Sequence, residues 1–135
     1  MTLRRRSPPA DAAVAAARVN RSCTMVNRNA GSGTRILIDR LLAGAKPAGY
    51  RSQPNSHNAV ATAVAQDRAD WGLTIKTAVR RYDLGFIPVQ GEQYDVVIPK
   101  SRVHRPSVQR FRALLQEPCL KAALMADGFG LSPST

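Results

Sequence analysis

Aromatic residues are scarce in this chain: three Phe, three Tyr and one Trp make up 5% of its 135 residues. A single-stranded nucleic-acid platform needs exposed rings on which bases stack, so this composition argues against one. It also leaves the core to Val, Ile, Leu and Ala. Imidazoles and thiols are as rare. His57 and His104 are the only histidines, too little material for a multi-histidine metal site or a catalytic triad. Cys23 and Cys119 stand far apart without CxxC or Cys/His ligand spacing, which reads as two reduced core thiols. Whether they could pair depends on a Cα separation that no sequence supplies. No apolar run approaches the roughly 18 residues of a membrane span. Gly-Lys-Ser/Thr and GxGxxG are both absent, which disfavours a nucleotide loop.

Acidic residues are few as well, 9 against 20 basic ones, for a net charge of +11. Anionic partners follow from that excess. The cations are nevertheless scattered: Arg4 to Arg6 form the one run, and Arg80-Arg81 and Arg102 to Arg105 form looser clusters. Without a zinc-finger, homeodomain or RRM signature, this pattern favours a solvated basic surface over direct nucleic-acid binding. Arg4 to Arg6 resemble the basic start of a signal peptide, but Ser7-Pro8-Pro9 follows and no adequate apolar segment comes next. The expectation is a cytoplasmic protein with no membrane contact. Residues 1–20 read as a basic segment, disordered to about residue 10 and ending in a short helix over 10–19. A single domain then occupies 21–135.

What is present is a repeated order of strand and helix. Cys23 to Asn27 has strand character, and Ile36, Leu37, Ile38, Leu41 and Leu42 recur at helical spacing over 32–44. Gly31 and Gly33 allow a tight turn between them, and Gly44 can close the helix. After a short extended piece at 50–53, Asn55 or Ser56 caps a second helix whose buried face carries Val60, Ala61, Val64 and Ala65. Ala69 to Ile75 and Phe86 to Val89 read as strands, with a short helix at 76–82 between them. Tyr94 to Pro99 gives the strongest strand signal, and two helices, 106–116 and 117–127, finish the chain with Phe111, Leu114, Leu115, Leu120, Leu124 and Met125 on their buried faces. Alternating strands and helices imply an α/β fold with a mainly parallel sheet flanked by helices. In such sheets ligands collect beyond the carboxyl ends of the strands, where helix amino termini converge. Ser32 to Arg35 and Ser56 to Asn58 occupy such positions. The free N–H groups of a first helical turn suit an oxyanion, and Ser32, Thr34, Arg28 and Arg35 could complete its shell. The structural alternative is that Ser32 and Ser56 are simply N-caps.

Five motifs in order carry a family resemblance: Val-Asn-Arg-x-x-Gly-Ser-Gly-Thr-Arg at 26–35, Ser-His-x-Ala-Val-Ala at 56–61, Arg-Ala-Asp-Trp-Gly-Leu-Thr-Ile at 68–75, Leu-Gly-Phe-Ile-Pro-Val at 84–89 and Tyr-Asp-Val-Val-Ile-Pro-Lys at 94–100. Over residues 22–130 the chain resembles the periplasmic-binding-protein-like domain found in molybdate-responsive helix-turn-helix regulators and molybdopterin biosynthesis proteins. The resemblance implies a type II, two-lobed α/β binding domain, of which this chain matches the second lobe and the carboxyl-terminal return helices. It also implies a small ligand, often a tetrahedral oxyanion such as molybdate or tungstate, held at Ser32, Gly33, Thr34, Arg35, Ser56, His57 and Tyr94. Arg28 matches the pattern too, and Thr74 stands where relatives usually carry glycine, placing an extra hydroxyl at the cleft floor. No cofactor or metal is implied beyond that ligand.

A non-catalytic sensor or substrate-binding role follows from these readings. Most of the first lobe has no counterpart here, so a second copy or a partner chain would have to cover the site. The alternative is a regulatory or oligomerisation fragment of a transcription regulator with a vestigial pocket. An enzyme has little support, because no paired carboxylates and no nucleophile with its base can be picked out.

Overall fold

A computed structural model describes residues 2–3 and 9–130. The chain divides into two compact units, Met1–Gly91 and Glu92–Thr135. In the first, four short strands form one sheet: β1 (Thr2–Leu3), β2 (Met25–Val26), β3 (Trp71–Gly72) and β4 (Gly85–Phe86), in the order β2-β3-β1-β4. β2 and β3 pair in parallel, Val26 opposite Gly72, while β1 is antiparallel to both β3 and β4. It follows that β2, β3 and β4 run in one direction, as strand-helix alternation requires, and that β1 alone runs against them. Thr2 and Leu3 lie in the segment expected to be disordered and pair with β3 and β4. Residues 1 and 4–8, including the Arg4 to Arg6 run, lie outside the described residues.

The helices of this unit follow their local signals closely. α1 (Ala10–Val19) starts behind Pro9 and buries Ala13 and Ala17. α2 (Gly33–Leu42) starts at Ser32, whose hydroxyl accepts from the Arg35 N–H, and buries Thr34, Ile38 and Leu42. Its carboxyl end turns one residue earlier than Gly44 suggests, because Ala43 itself adopts the left-handed conformation with φ 48°. α3 (His57–Ala65) is capped by Ser56, and α4 (Lys76–Val79) runs into a 3₁₀ turn at Arg80–Tyr82.

Two apolar clusters sandwich the sheet. Ala13, Ala17, Met25, Ile38, Leu42, Trp71, Leu73 and Ile87 form one, and Val26, Val60, Ala63, Val64 and Ala69 form the other. Met25 and Val26 are successive strand residues and point to opposite faces, which is why one joins each cluster. Burial on both faces explains the near-continuous apolar runs at these strands. The close approach of α3 requires Gly72, where an added Cβ would lie 2.7 Å from a Val60 methyl and 2.8 Å from a Val26 methyl.

The second unit contains a 3₁₀ turn (Lys100–Arg102), α5 (Pro106–Leu114) and α6 (Pro118–Ala126), each α-helix with proline at its first position. Pro supplies the helical φ there and its missing N–H is not needed. The strand expected at Tyr94 to Pro99 does not form. Those residues carry no regular structure, and Val96 and Val97 are 62% and 90% exposed. A strand needs a ladder partner as well as β propensity, and none meets this segment among the described residues. The buried helix faces expected here are corrected too. Among the described residues from 92 onward none is fully buried: Phe111 and Met125 are exposed, and Leu114, Leu115, Leu120 and Leu124 are half-buried. Cys119 is likewise exposed rather than a core thiol, and Cys23 is half-buried; both are free.

Candidate functional site

Both candidate cradles lie where parallel strands end. Arg28 follows Val26 by two residues and Thr74 follows Gly72 by two, and Val26 and Gly72 are partners across the β2·β3 pair. The two chain ends thus leave the sheet side by side, roughly one strand spacing of 4.8 Å apart. The loop before α2 is fastened to the segment leading to α3, since the Asn27 N–H donates to the Ser52 carbonyl at 2.9 Å and the Asn29 N–H to the Pro54 carbonyl at 3.2 Å. The amino termini of α2 and α3 are held at the same edge of the sheet.

Arg28 is the unusual residue of this site. It is only 7% exposed, yet Nε and Nη1 are buried without a hydrogen-bond partner among the described residues. Its remaining nitrogen, Nη2, makes a long contact of 3.4 Å with Asn29 Oδ1. Arginine is found buried almost always with a paired acceptor, because an unanswered guanidinium carries the full desolvation cost of its donors. The backbone of Arg28, by contrast, is held at both ends: its N–H donates to Asn27 Oδ1 at 2.8 Å and its carbonyl accepts from Arg35 Nη1 at 3.1 Å.

Arg35 has its donors turned inward. Nε donates to both carboxylate oxygens of Asp39 at 3.0 Å, and Nη2 to the Tyr50 hydroxyl at 2.8 Å. The Tyr50 hydroxyl donates in turn to Asp39 Oδ1 at 2.7 Å, and the guanidinium lies 4.6 Å from the Tyr50 ring centroid. Burial disfavours the charge on each partner, but the Tyr50 hydrogen bond and the mutual attraction of Arg35 and Asp39 outweigh it. The Arg35 guanidinium is held above its ordinary value and the Asp39 carboxyl below its own. All three Arg35 nitrogens therefore have acceptors within the loop and its neighbours. Ser32 is similarly engaged: its hydroxyl accepts from the Arg35 N–H at 3.1 Å and donates to the Asn29 carbonyl at 3.0 Å. That is the N-cap role.

Gly33 opens α2 with nothing within 4 Å of where a Cβ would stand, so the backbone face there is bare. Thr34 is buried in the first turn. At α3, Ser56 caps through Ala59 N–H at 3.1 Å, and the Thr74 hydroxyl donates to the His57 carbonyl at 3.0 Å with its oxygen 3.3 Å from Nδ1. Thr74 thus fastens the first residue of α3 to the end of β3. The structure brings Arg28, Ser32, Thr34 and Arg35 together, and Ser56, His57 and Thr74 together. Tyr94 belongs to the second unit, where its hydroxyl donates to Glu92 Oε2 at 3.1 Å and its ring meets Phe129 edge-on at 6.2 Å.

Sequence reasoning missed Asn27, Tyr50 and Asp39. Asn27 is fully buried and its amide bridges the Tyr50 carbonyl and the Arg28 N–H. The available signal was a polar residue at the end of an apolar strand. No group of three or more His, Cys, Asp and Glu side chains that could hold a metal occurs among the described residues. Burial, reinforced by the nearby Asp70, raises the Cys23 thiol above its ordinary value, which keeps it protonated.

The α/β unit thus places two helix amino termini and a buried guanidinium at the carboxyl ends of parallel strands, where ligands collect in sheets of this kind. The chain belongs to the PBP superfamily, whose domain matches residues 9–116. It is similar to the uncharacterized protein YvgK of Bacillus subtilis (strain 168), with 38% identity over 81 residues, 56% of this chain and 26% of that protein. The chain thus spans about a quarter of the length of that relative. No solved structure matches it. Among the described residues no helix is long and apolar enough to cross a membrane.

Proposed function

We propose that this chain binds a small oxyanion, such as molybdate, tungstate or a molybdenum-cofactor-related molecule, in a non-catalytic sensor or substrate-binding role in the cytoplasm. The observation that carries the reading is Arg28, a buried guanidinium with two unpartnered nitrogens beside the amino terminus of α2. An oxyanion supplies both the counter-charge and the acceptors that this group lacks, and charged hydrogen bonds of this kind are the strong ones. The N–H groups of Gly33 and Thr34, in the first turn of α2, and those of the first turn of α3 add donors of the same sign. Ser32, Ser56, Arg35 and Thr74 shape this cradle through the bonds already described.

In this reading the chain is the second lobe of a type II domain, and ligand selects an arrangement in which another wall covers the site. Without that cover affinity is weak because water competes for exposed donors. Thermal unfolding with molybdate, tungstate, sulfate and phosphate tests the reading. A specific oxyanion at about 100 times its dissociation constant stabilises by roughly 2.7 kcal/mol. No shift with any of the four overturns it.

A second reading, a regulatory or oligomerisation fragment with a vestigial pocket, is favoured by the second unit. Its described residues include none that is fully buried, and Val97 and Met125 are 90% and 60% exposed. Light scattering that gives an assembly of stable size, together with the absence of any oxyanion shift, selects this reading.

A further inference from the structure

We propose that Arg35, Asp39 and Tyr50 act as a clamp that aims Arg28, so that Arg35 is a positioning residue of the anion site rather than one of its ligands. The inference rests on Arg28 being the anion anchor. Its basis is the direction of the Arg35 donors. Nη1 reaches the Arg28 carbonyl at 3.1 Å, Nη2 the Tyr50 hydroxyl at 2.8 Å, and Nε both oxygens of Asp39.

The triangle closes on itself through the 2.7 Å bond from Tyr50 to Asp39 and the stacking of the guanidinium on the Tyr50 ring. It is also tied to the strand. Asn27 Nδ2 donates to the Tyr50 carbonyl while Asn27 Oδ1 takes the Arg28 N–H, so the peptide groups on both sides of the Arg28 Cα answer to one network. With its backbone fixed on both sides, the Arg28 side chain has a defined exit direction. Its stem is packed and its head finds no protein acceptor for Nε and Nη1. The planar fork of Arg35 can serve three acceptors at once, which a lysine ammonium at the same position cannot do in the same plane. A cation that would otherwise compete for the ligand is thereby neutralised by Asp39, leaving Arg28 as the charge that selects an anion.

The test uses the full chain and the variants Arg35→Lys and Tyr50→Phe, with two readouts. The first needs no ligand: exchange of the Arg28 Nε–H with water, followed by NMR and assigned by its disappearance in Arg28→Met. Both variants are expected to accelerate this exchange, Arg35→Lys more strongly. The second is titration with tungstate, where Arg35→Lys is expected to weaken affinity about tenfold, as a misaimed Arg28 loses one charged hydrogen bond to the anion. Tyr50→Phe keeps the stacked ring and the backbone contact to Asn27, and carries the test if Arg35→Lys does not fold. Unchanged Arg28 exchange in the folded variants overturns the clamp, whatever binds. If tungstate binds the wild type and Arg35→Lys equally well, the positioning role is overturned. Failure of the wild type to respond to tungstate, sulfate, phosphate or molybdate counts instead against the anion site, and the exchange data still decide the clamp.

Discussion

Replacing Arg28 by methionine separates stability from binding more sharply than any other single change. The guanidinium is 7% exposed, two of its nitrogens have no acceptor, and the third has one long contact of 3.4 Å. Each buried donor left unpaired costs about 1–3 kcal/mol, so the head group carries a penalty of about 2–6 kcal/mol in the ligand-free protein. Methionine retains most of the apolar stem and removes both orphaned donors. It gives up only the Asn29 contact, worth at most about 1 kcal/mol at that distance. Replacement of buried charges by well-packed apolar side chains is commonly neutral or stabilising by about 1–4 kcal/mol. For a unit the size of Met1–Gly91, 1 kcal/mol moves the midpoint by about 4–8 °C. Differential scanning fluorimetry without added anion should therefore show Arg28→Met melting at least about 4 °C above the wild type. The same variant should lose any oxyanion-dependent shift. A ligand-free Arg28→Met that melts below the wild type would refute the reasoning, because it would mean that Arg28 is answered within the protein. A retained oxyanion shift would place the ligand elsewhere.

Other outcomes follow from the packing and charges already described. Gly72→Ala forces a Cβ against Val60 and Val26 methyls between the sheet and α3, and should lower stability by about 1–3 kcal/mol in urea unfolding. A silent Gly72→Ala would mean that α3 can ride away from β3 without loss. Asp39 is held below the ordinary carboxylate value, so the stability it contributes is present at neutral pH. That contribution is lost as pH falls below about 4 through its folded value. Asp39→Asn should therefore flatten the acid side of the stability curve and leave its alkaline side alone; an identical acid slope in the two proteins contradicts the assigned network. Cys119 is exposed whereas the Cys23 thiol is half-buried and held protonated, so a thiol reagent at pH 7 to 8 should modify Cys119 first, as read by mass spectrometry of peptides. Equal rates at both sites would contradict that placement.

Much of the local architecture is legible in the sequence. α1, α2 and α3 begin where Pro9, Ser32 and Ser56 place them. Capping and helical periodicity act over a few residues, so the chain carries those instructions in its immediate order. Tyr94 to Pro99 shows the limit of such reading. Its composition is that of a strand, but strand formation is a contract with another segment, and Val97 stands 90% exposed without one. The site divides in the same way. Arg28, Ser32 and Arg35 were recognisable as a group from one ten-residue motif, whereas their roles were not.

The sequence by itself determined an α/β order of elements, two capped helix starts at the ends of strands, and a basic, aromatic-poor chain. Tertiary structure alone decided what each arginine meets. Arg35 meets Asp39 one helical turn away, but it meets Tyr50 and the Arg28 carbonyl only because the loop and the segment at 50–54 fold against β2. Among the described residues Arg28 meets no acceptor for Nε and Nη1. Hydrogen bonding is short-ranged and directional, so which donors find acceptors is set by positions that only the folded chain brings together.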